Sequence, residues 1–164
     1  MTNIARIGQG YDLHRLESGR KLILAGVEIE FEQGLSGHSD ADVVLHSVID
    51  ALLGAAGLGD IGELFPDTDP AYKDIASTDL LEQVRQKVEQ FGYKPVNVDL
   101  TVIAEKPKLQ PYKSALRRKL AELLKIDFDA VSVKAKTNEG IGELGTGRAI
   151  ACHAVVSLAE IIIT

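Results

Sequence analysis

The sequence contains no tryptophan, and its 164 residues include only four tyrosines and four phenylalanines. Because 45% of the residues are hydrophobic, a core can still form, but it must be built mainly from aliphatic side chains. No apolar stretch is long enough to span a bilayer as a helix. The N-terminus lacks the apolar run and cleavage site of a signal peptide, so we expect a cytoplasmic protein.

Cysteine and excess positive charge are also scarce. The single cysteine, Cys152, cannot form an internal disulfide, which is typical of a protein from a reducing compartment. Its neighbours in the segment IACHAVV are apolar, so we expect a buried structural thiol and not a nucleophile. The formal net charge of -6 argues against a general binder of nucleic acid or anionic membranes. A small anionic substrate remains compatible with this charge, since a few local cations and a metal ion suffice to bind it.

The spacing of apolar residues predicts an α+β fold, in which helices pack on one face of a mixed β-sheet. The predicted strands cover residues 4–10, 21–25, 27–31, 96–104, 131–136 and 150–163. The predicted helices cover residues 40–56, with Ser39 or Asp40 as the cap, residues 77–92 and residues 111–124. A long loop, residues 57–72, separates the first two helices, and such loops often carry function. No repeat or linker interrupts the pattern, so we expect one domain over residues 1–164.

Asp12 and His14 form the first candidate site, which we place just after the first predicted strand. Alternate residues of an extended segment point the same way, so both side chains can reach one point while Leu13 turns into the core. A carboxylate and an imidazole suit zinc or another borderline divalent metal. The pair by itself is equally compatible with a turn aspartate beside a surface histidine.

A polar stripe follows on the first predicted helix. Four side chains recur at every fourth position: His38, Asp42, His46 and Asp50. A solvated helix face usually carries Lys and Glu, so two histidines and two aspartates favour a binding site. Spacing alone leaves two metal ligand sets open, either Asp12, His14 and His46 or the helix residues His38, Asp42 and His46.

Three further segments are rich in residues that bind ligands. They are residues 59–67 (GDIGELFPD), 104–109 (AEKPKL) and 134–139 (KAKTNE). The first combines glycines with acids that suit sugar hydroxyls or a metal, and the other two follow predicted strands, where ligand loops tend to lie. The third offers cations, a hydroxyl and a carboxylate, which suits a phosphate together with a hard metal such as Mg²⁺ held by Glu139. Each segment is also compatible with an ordinary exposed loop.

Five segments, spread from Gly8 to Val155, carry a resemblance to a known family. They read GQGYDLHRL, SGHSDADVVLHSVIDALLGAAGLGDIGELFPDTDP, TVIAEKPKLQPY, KAKTNEGIG and IACHAV. On these residues the sequence resembles the 2-C-methyl-D-erythritol 2,4-cyclodiphosphate synthases, lyases of the non-mevalonate isoprenoid (terpenoid) pathway. Glu143 and Thr146 depart from the pattern, since many bacterial relatives carry Phe and Arg there, near the three-fold axis. The resemblance therefore does not extend to isoprenoid-diphosphate binding in a central cavity.

The resemblance implies a role for each matching residue. It makes Asp12, His14 and His46 the zinc ligands, one Zn²⁺ per subunit, with Asp12 and His14 also touching substrate. His38 and Ser39 would contact the phosphates, and His38 and Thr137 would be catalytic. A loop covering the methylerythritol part would comprise Asp60, Ile61, Gly62, Phe65, Pro66, Asp67, Thr68 and Asp69, with Asp50 and Asp60 near substrate hydroxyls. The cytosine loop would comprise Ala104, Glu105, Lys106, Pro107, Lys108, Leu109 and Gln110. Lys136, Thr137, Asn138 and Glu139 would form the phosphate segment, with Glu139 holding a second divalent ion, Mg²⁺ or Mn²⁺.

The resemblance also implies a homotrimer whose active sites lie between neighbouring subunits, one bringing zinc and the next the cytidine pocket. The expected substrate is 4-diphosphocytidyl-2-C-methyl-D-erythritol 2-phosphate. Its 2-phosphate would attack the β-phosphorus, CMP would leave, and 2-C-methyl-D-erythritol 2,4-cyclodiphosphate would form. The residues alone leave two other functions open: a zinc-dependent phosphoester hydrolase, and a non-catalytic trimer that binds cytidine nucleotides.

Overall fold

The computed structural model describes residues 6–37, 39–66, 68, 72 and 75–162. The strands in these residues are β1 (Arg6–Ser18), β2 (Leu22–Leu24), β3 (Val27–Ile29), β4 (Gln33–Leu35), β5 (Tyr93–Ile103), β6 (Val131–Lys136) and β7 (Ala149–Glu160). The helices are α1 (Val43–Ala56), α2 (Ile61–Leu64), α3 (Ser77–Gln90), α4 (Lys113–Leu124) and α5 (Gly142–Gly145). Short 3-10 turns at Gln110–Tyr112 and Phe128–Ala130 flank α4.

The main sheet has five strands in the order β4–β1–β7–β5–β6. Only β5 and β6 run parallel, and the other neighbours are antiparallel. An uninterrupted register joins β1 to β7 from the pair Arg6–Leu158 to the pair Arg15–Ala149. The strands β2 and β3 form a separate hairpin. This mixed sheet, with α1, α3 and α4 on one face, confirms the predicted α+β class.

The core lies between the sheet and the helices and is aliphatic, as the shortage of aromatic residues predicted. The predicted inward positions of α1, among them Val44, Leu45, Val48 and Leu52, are fully buried. Leu81 and Val84 of α3 and Leu116 and Leu120 of α4 are buried in the same cluster. The three long helices therefore begin and end close to where apolar periodicity placed them.

Two glycines of β1 set how closely α1 approaches the sheet. A Cβ at Gly8 would overlap the backbone carbonyl of Ala51, and a Cβ at Gly10 would overlap that of Ser47. Backbone atoms cannot move aside as a flexible side chain can, so only glycine fits under the helix at both positions. The predicted end of the first strand at residue 10 is wrong, because β1 continues through Gly10 to Ser18.

Other boundaries also differ from the predictions. Asp12 and His14 lie within β1 and not after it. Leu13 does not enter the core but is 41% exposed on the open face of the sheet, which no helix covers. The cap of α1 is Asp42, and neither Ser39 nor Asp40 takes that place.

Elements that sequence patterns did not predict are short. The segment predicted as a loop over residues 57–72 contains α2, capped by Asp60. The strand β4 and the helix α5 were not predicted, and β5 begins three residues earlier than expected. None of the helices in the described part of the chain has both the length and the apolar content needed to cross a membrane.

Candidate metal centre and substrate cavity

The fold brings one helix residue to two strand residues. Asp12 and His14 share with Gly8 and Gly10 the face of β1 that points to the helices, as strand alternation requires. His46 is the neighbour of Ser47, the α1 residue whose carbonyl lies over Gly10. The close approach allowed by the glycines therefore delivers the imidazole of His46 to the side chains of Asp12 and His14.

These three residues, the metal triad, converge through one atom each. Asp12 Oδ2 lies 2.9 Å from His14 Nε2 and 3.0 Å from His46 Nδ1, and the two nitrogens are 3.2 Å apart. The edge of a tetrahedral zinc site with bonds of 2.0–2.1 Å is about 3.3 Å long, so the three atoms have nearly the spacing of three zinc ligands. No other group of three potential ligands of this kind occurs in the residues that the structure describes.

The hydrogen-bond partner behind His14 favours metal binding. Its Nδ1 lies 2.7 Å from the backbone carbonyl of Ser36. A carbonyl only accepts, so Nδ1 carries a hydrogen, and Nε2 is the nitrogen that a metal ion can bind in place of a proton. Such a carbonyl partner is common behind the histidine ligands of metal sites, because it fixes the tautomer and the ring orientation. The chemistry of the donor set therefore fits a divalent ion.

The electrostatics of the triad favour a cation. Burial alone would raise the pKa of Asp12, but its hydrogen bonds with His14 and His46 hold that pKa well below the usual range. Burial alone would lower the pKa of His14, but the neighbouring Asp12 carboxylate raises it. The site thus stabilises a carboxylate together with a positive charge, which either a proton or a metal ion can supply.

The metal triad lies in the wall of a cavity of about 260 Å³. Besides the triad, its lining comprises Gly37, Ser39, Ile61, Gly62, Phe65, Tyr72, Ile75 and Leu80. Phe65 and Tyr72 meet edge to face with ring centroids 5.1 Å apart. One side of the cavity is therefore polar and ligand-rich, and the other is apolar.

The segment predicted to cover the substrate is only partly within this cavity. Ile61, Gly62 and Phe65 line it, whereas Pro66 and Thr68 are exposed outside it. His38, Asp67 and Asp69 lie outside the described residues. The structure thus places the central part of the predicted loop beside the triad.

The two acids predicted near substrate hydroxyls have backbone partners. Asp50 accepts the N–H of Ile61 at 2.8 Å, and Asp60 accepts the N–H of Glu63 at 2.9 Å as the cap of α2. Burial raises the pKa of Asp50. Asp50 therefore anchors the start of α2 to α1, and neither acid is among the residues that line the cavity.

The other predicted substrate residues form a second group, the loop cluster, defined as residues 104–110 and 136–140. Ala104 N–H donates to the carbonyl of Lys136, and Glu105 accepts the N–H groups of Asn138 and Gly140. Thr137 donates to Glu139 at 3.2 Å. The Lys106–Pro107 peptide is cis. The parent strands β5 and β6 lie two and three places from β1, roughly 10 and 14 Å away, and no member of the cluster lines the triad cavity.

The alternative ligand set of His38, Asp42 and His46 is excluded, because Asp42 is not available to bind a metal ion. This carboxylate is fully buried and accepts the N–H groups of Ala25, Gly26, Val44 and Leu45. It caps α1 and fixes the β2–β3 hairpin to it. Its oxygens are thus used by backbone N–H groups, and it is not one of the three converging ligands.

Several cavity residues were not singled out from the sequence. Tyr72 and Ile75 lie in or beside the long loop, and Leu80 was assigned only to the core of α3. Ser77 contacts the imidazole of His46 across 31 residues of sequence. The apolar residues beside a glycine-rich loop were the available signal, but their partners are set by long-range packing.

Fold and site together define a class: an α+β protein with a candidate Asp–His–His metal centre in the wall of a cavity that also has apolar lining residues. A model described as the YgbB family matches residues 5–159, so the chain belongs to that family. The resemblance inferred from the sequence is thereby confirmed.

Relatives and solved structures agree. A 2-C-methyl-D-erythritol 2,4-cyclodiphosphate synthase of Chloroherpeton thalassium is 58% identical over 95% of this chain and 99% of its own. A CDP-bound 2C-methyl-D-erythritol-2,4-cyclodiphosphate synthase structure has a TM-score of 0.87, 41% identity and coverage of 93% of this chain and 99% of its own. The bifunctional IspDF of Campylobacter jejuni has a TM-score of 0.93 and 42% identity over 98% of this chain, which spans 43% of that protein.

Proposed function

We propose that this protein converts 4-diphosphocytidyl-2-C-methyl-D-erythritol 2-phosphate to 2-C-methyl-D-erythritol 2,4-cyclodiphosphate with release of CMP, as a lyase of the non-mevalonate isoprenoid pathway. The observation that carries the proposal is the convergence of Asp12, His14 and His46 at a cavity wall. Kinship with curated synthases and with a CDP-bound structure supports the choice of substrate. A cytoplasmic location and a single domain, residues 1–164, remain part of this proposal.

The metal triad would hold one zinc ion, whose Lewis acidity, when bound, polarises a phosphate oxygen. The chain's own groups have to align two phosphates that repel one another. Ser39 Oγ accepts the N–H of Ala41 at 3.1 Å, so its hydroxyl hydrogen can be directed to a phosphate oxygen. His38 and Thr137 would add hydrogen bonds to the charge that develops in the transition state.

The cavity favours ring closure over hydrolysis. The nucleophile is already an anionic phosphate, so no general base is required to activate it. Among the described lining residues, the carboxylate and both imidazoles are proposed metal ligands, so none of these three is left as a separate base to activate water. Ile61, Phe65 and Leu80 would exclude water from the reacting phosphates.

The loop cluster would bind the cytidine of a neighbouring subunit's substrate, with Glu139 holding a second ion, Mg²⁺ or Mn²⁺. Within one chain this cluster lies across the sheet from the triad. The open sheet face also exposes Ile7, Tyr11, Leu13 and Val155 to between 41% and 70%. A homotrimer that buries this face and joins each triad to the next subunit's cluster would account for both features.

The test uses the zinc-loaded protein, the substrate and Mg²⁺ in water enriched in ¹⁸O. We expect phosphorus NMR to detect a ring diphosphate and CMP in equal amounts, with no ¹⁸O in either. Uncyclised methylerythritol phosphates that carry ¹⁸O would refute this proposal and favour the phosphoester hydrolase. Nucleotide binding without turnover would replace it by the binding trimer. Light scattering should give three times the chain mass of 17.7 kDa.

A further inference from the structure

One contact of His46 lies outside the metal triad, on the far side of its ring. His46 Nε2 is 2.9 Å from Ser77 Oγ and 3.3 Å from Ser39 Oγ. Ser77 is fully buried and is the first residue of α3. Its hydroxyl donates to Oδ1 of Asp40, and its backbone N–H donates to Oδ2 of the same carboxylate at 3.1 Å.

The contacts of Ser77 determine which nitrogen of His46 carries a hydrogen on this side of the ring. A serine hydroxyl has one hydrogen, and an ionised carboxylate can only accept. Ser77 donates its hydroxyl hydrogen to Asp40, so towards the imidazole the Ser77 oxygen can act only as an acceptor. His46 Nε2 must therefore carry a hydrogen. Nδ1, which faces Asp12 and His14, is then the nitrogen that a metal ion can bind in place of a proton.

Asp40 also joins two helix starts. Its Oδ1 accepts the N–H of Asp42, the cap of α1, at 3.2 Å, while both of its oxygens hold Ser77 at the start of α3. Two residues that line the cavity lie at this end of α3: Ile75 just before the helix and Leu80 in its first turn. The orientation of His46 and the apolar cavity wall therefore depend on the same carboxylate.

We propose that Asp40 and Ser77 are positioning residues that select the Nδ1 lone pair of His46 for zinc. The inference deepens the proposed function and rests on its metal site. Loss of either residue leaves the three ligands in the sequence but lets His46 change tautomer and rotate. Partners behind a ligand typically change metal affinity by about 10- to 100-fold.

The test compares full-length Ser77→Ala and Asp40→Asn with two controls in the same turn of α3. Thr78→Ala removes a hydroxyl whose side chain lies near Gly26, and Asp79→Asn removes an exposed charge. Competition with a chromogenic chelator gives the zinc Kd, and nitrogen-15 NMR of the imidazoles gives the His46 tautomer in the metal-free protein. Circular dichroism confirms folding.

We expect both test variants to bind zinc about 10- to 100-fold more weakly and to populate the Nδ1–H tautomer of His46. Both controls should match the wild type. Because Ser39 can replace Ser77 as acceptor, Ser39→Ala/Ser77→Ala should show the largest change. Wild-type zinc affinity and tautomer in Ser77→Ala and in this double variant would overturn the inference, whether or not Asp40→Asn folds. A wild type that binds zinc but cyclises nothing would refute the proposed function alone.

Discussion

The metal triad and the loop cluster differ in how one chain holds their polar groups. The triad side chains are 13% to 25% exposed, stand on a strand and a helix, and converge on one point. The loop cluster follows two strand ends, and Lys136, Thr137 and Glu139 are exposed. Its carboxylate Glu105 is occupied by backbone N–H groups of the same cluster.

The difference follows from what each element can hold rigid. Side chains on packed strands and helices are fixed by their backbone and neighbours before a ligand arrives. Loops present backbone groups and flexible side chains that gain fixed positions from whatever covers them. The triad is therefore preorganised within one chain, whereas the loop cluster offers a surface that we expect a second subunit to complete.

The largest effect should come from removing a triad ligand. His46→Ala leaves two ligands, and we expect bound zinc to fall below one tenth per chain and turnover to fall by about 10³-fold or more. His153→Ala is the matched control for zinc content, because His153 lies beside Tyr11 on the open sheet face, away from the triad. Elemental analysis and CMP release measure the two quantities. Full zinc content in His46→Ala would exclude His46 as a ligand.

A mixed assembly tests whether the two regions act across subunits. Thr137→Ala should lower turnover by about 10²-fold through loss of one transition-state hydrogen bond. Differently tagged His46→Ala and Thr137→Ala chains, when co-expressed, should recover roughly one quarter of wild-type turnover, because one neighbouring pair in four then combines an intact triad with an intact cluster.

Wild-type chains mixed with His46→Ala chains provide the control for subunit exchange. No recovery in the mixture of two variants, despite demonstrated exchange, would place the whole active site within one chain.

Sequence patterns predicted best those features that depend on local periodicity. The helices α1, α3 and α4 were predicted because their apolar residues repeat every three or four positions. Local periodicity did not predict what Gly8, Gly10 and Leu13 pack against. Gly8 and Gly10 allow close packing beneath α1, and Leu13 points to a sheet face that none of the described helices covers.

The candidate site shows the same limit. Strand alternation indicated that Asp12 and His14 point the same way, and the family resemblance then selected His46 as the third ligand. Ser39, Asp40 and Asp42 all offer cap oxygens, and the structure identifies Asp42 as the cap, because its carboxylate accepts the N–H groups of Val44 and Leu45. Ser77 reaches His46 through packing of α3 on α1, which no local pattern encodes.

The close approach beneath α1 can be tested with one methyl group. In Gly10→Ala the new Cβ would overlap the carbonyl of Ser47, so α1 must move and carry His46 with it. We expect the free energy of unfolding to fall by about 3 kcal/mol, and zinc affinity to fall as well.

Gly54→Ala is the matched control, because its Cβ meets no atom within 4 Å and the helix should gain about 0.5 to 1 kcal/mol. Urea unfolding followed by circular dichroism, at one protein concentration, measures both changes. Equal stability of Gly10→Ala and the wild type would show that α1 does not pack tightly on β1 at Gly10.

The smallest effect is expected at Cys152, which pairs in register with Asp12 and is fully buried behind the triad. Burial raises the pKa of its thiol to about 12, so at pH 8 only about one molecule in 10⁴ carries the thiolate. Iodoacetamide should therefore leave the native protein unmodified by mass spectrometry and modify it fully in denaturant. If the triad region is preorganised without its ion, a chelator should not accelerate the reaction. Faster alkylation after zinc removal would mean that the metal itself holds β1 and β7 together. The triad would then differ from the loop cluster because it binds a metal ion, and not because the fold of the chain holds it rigid.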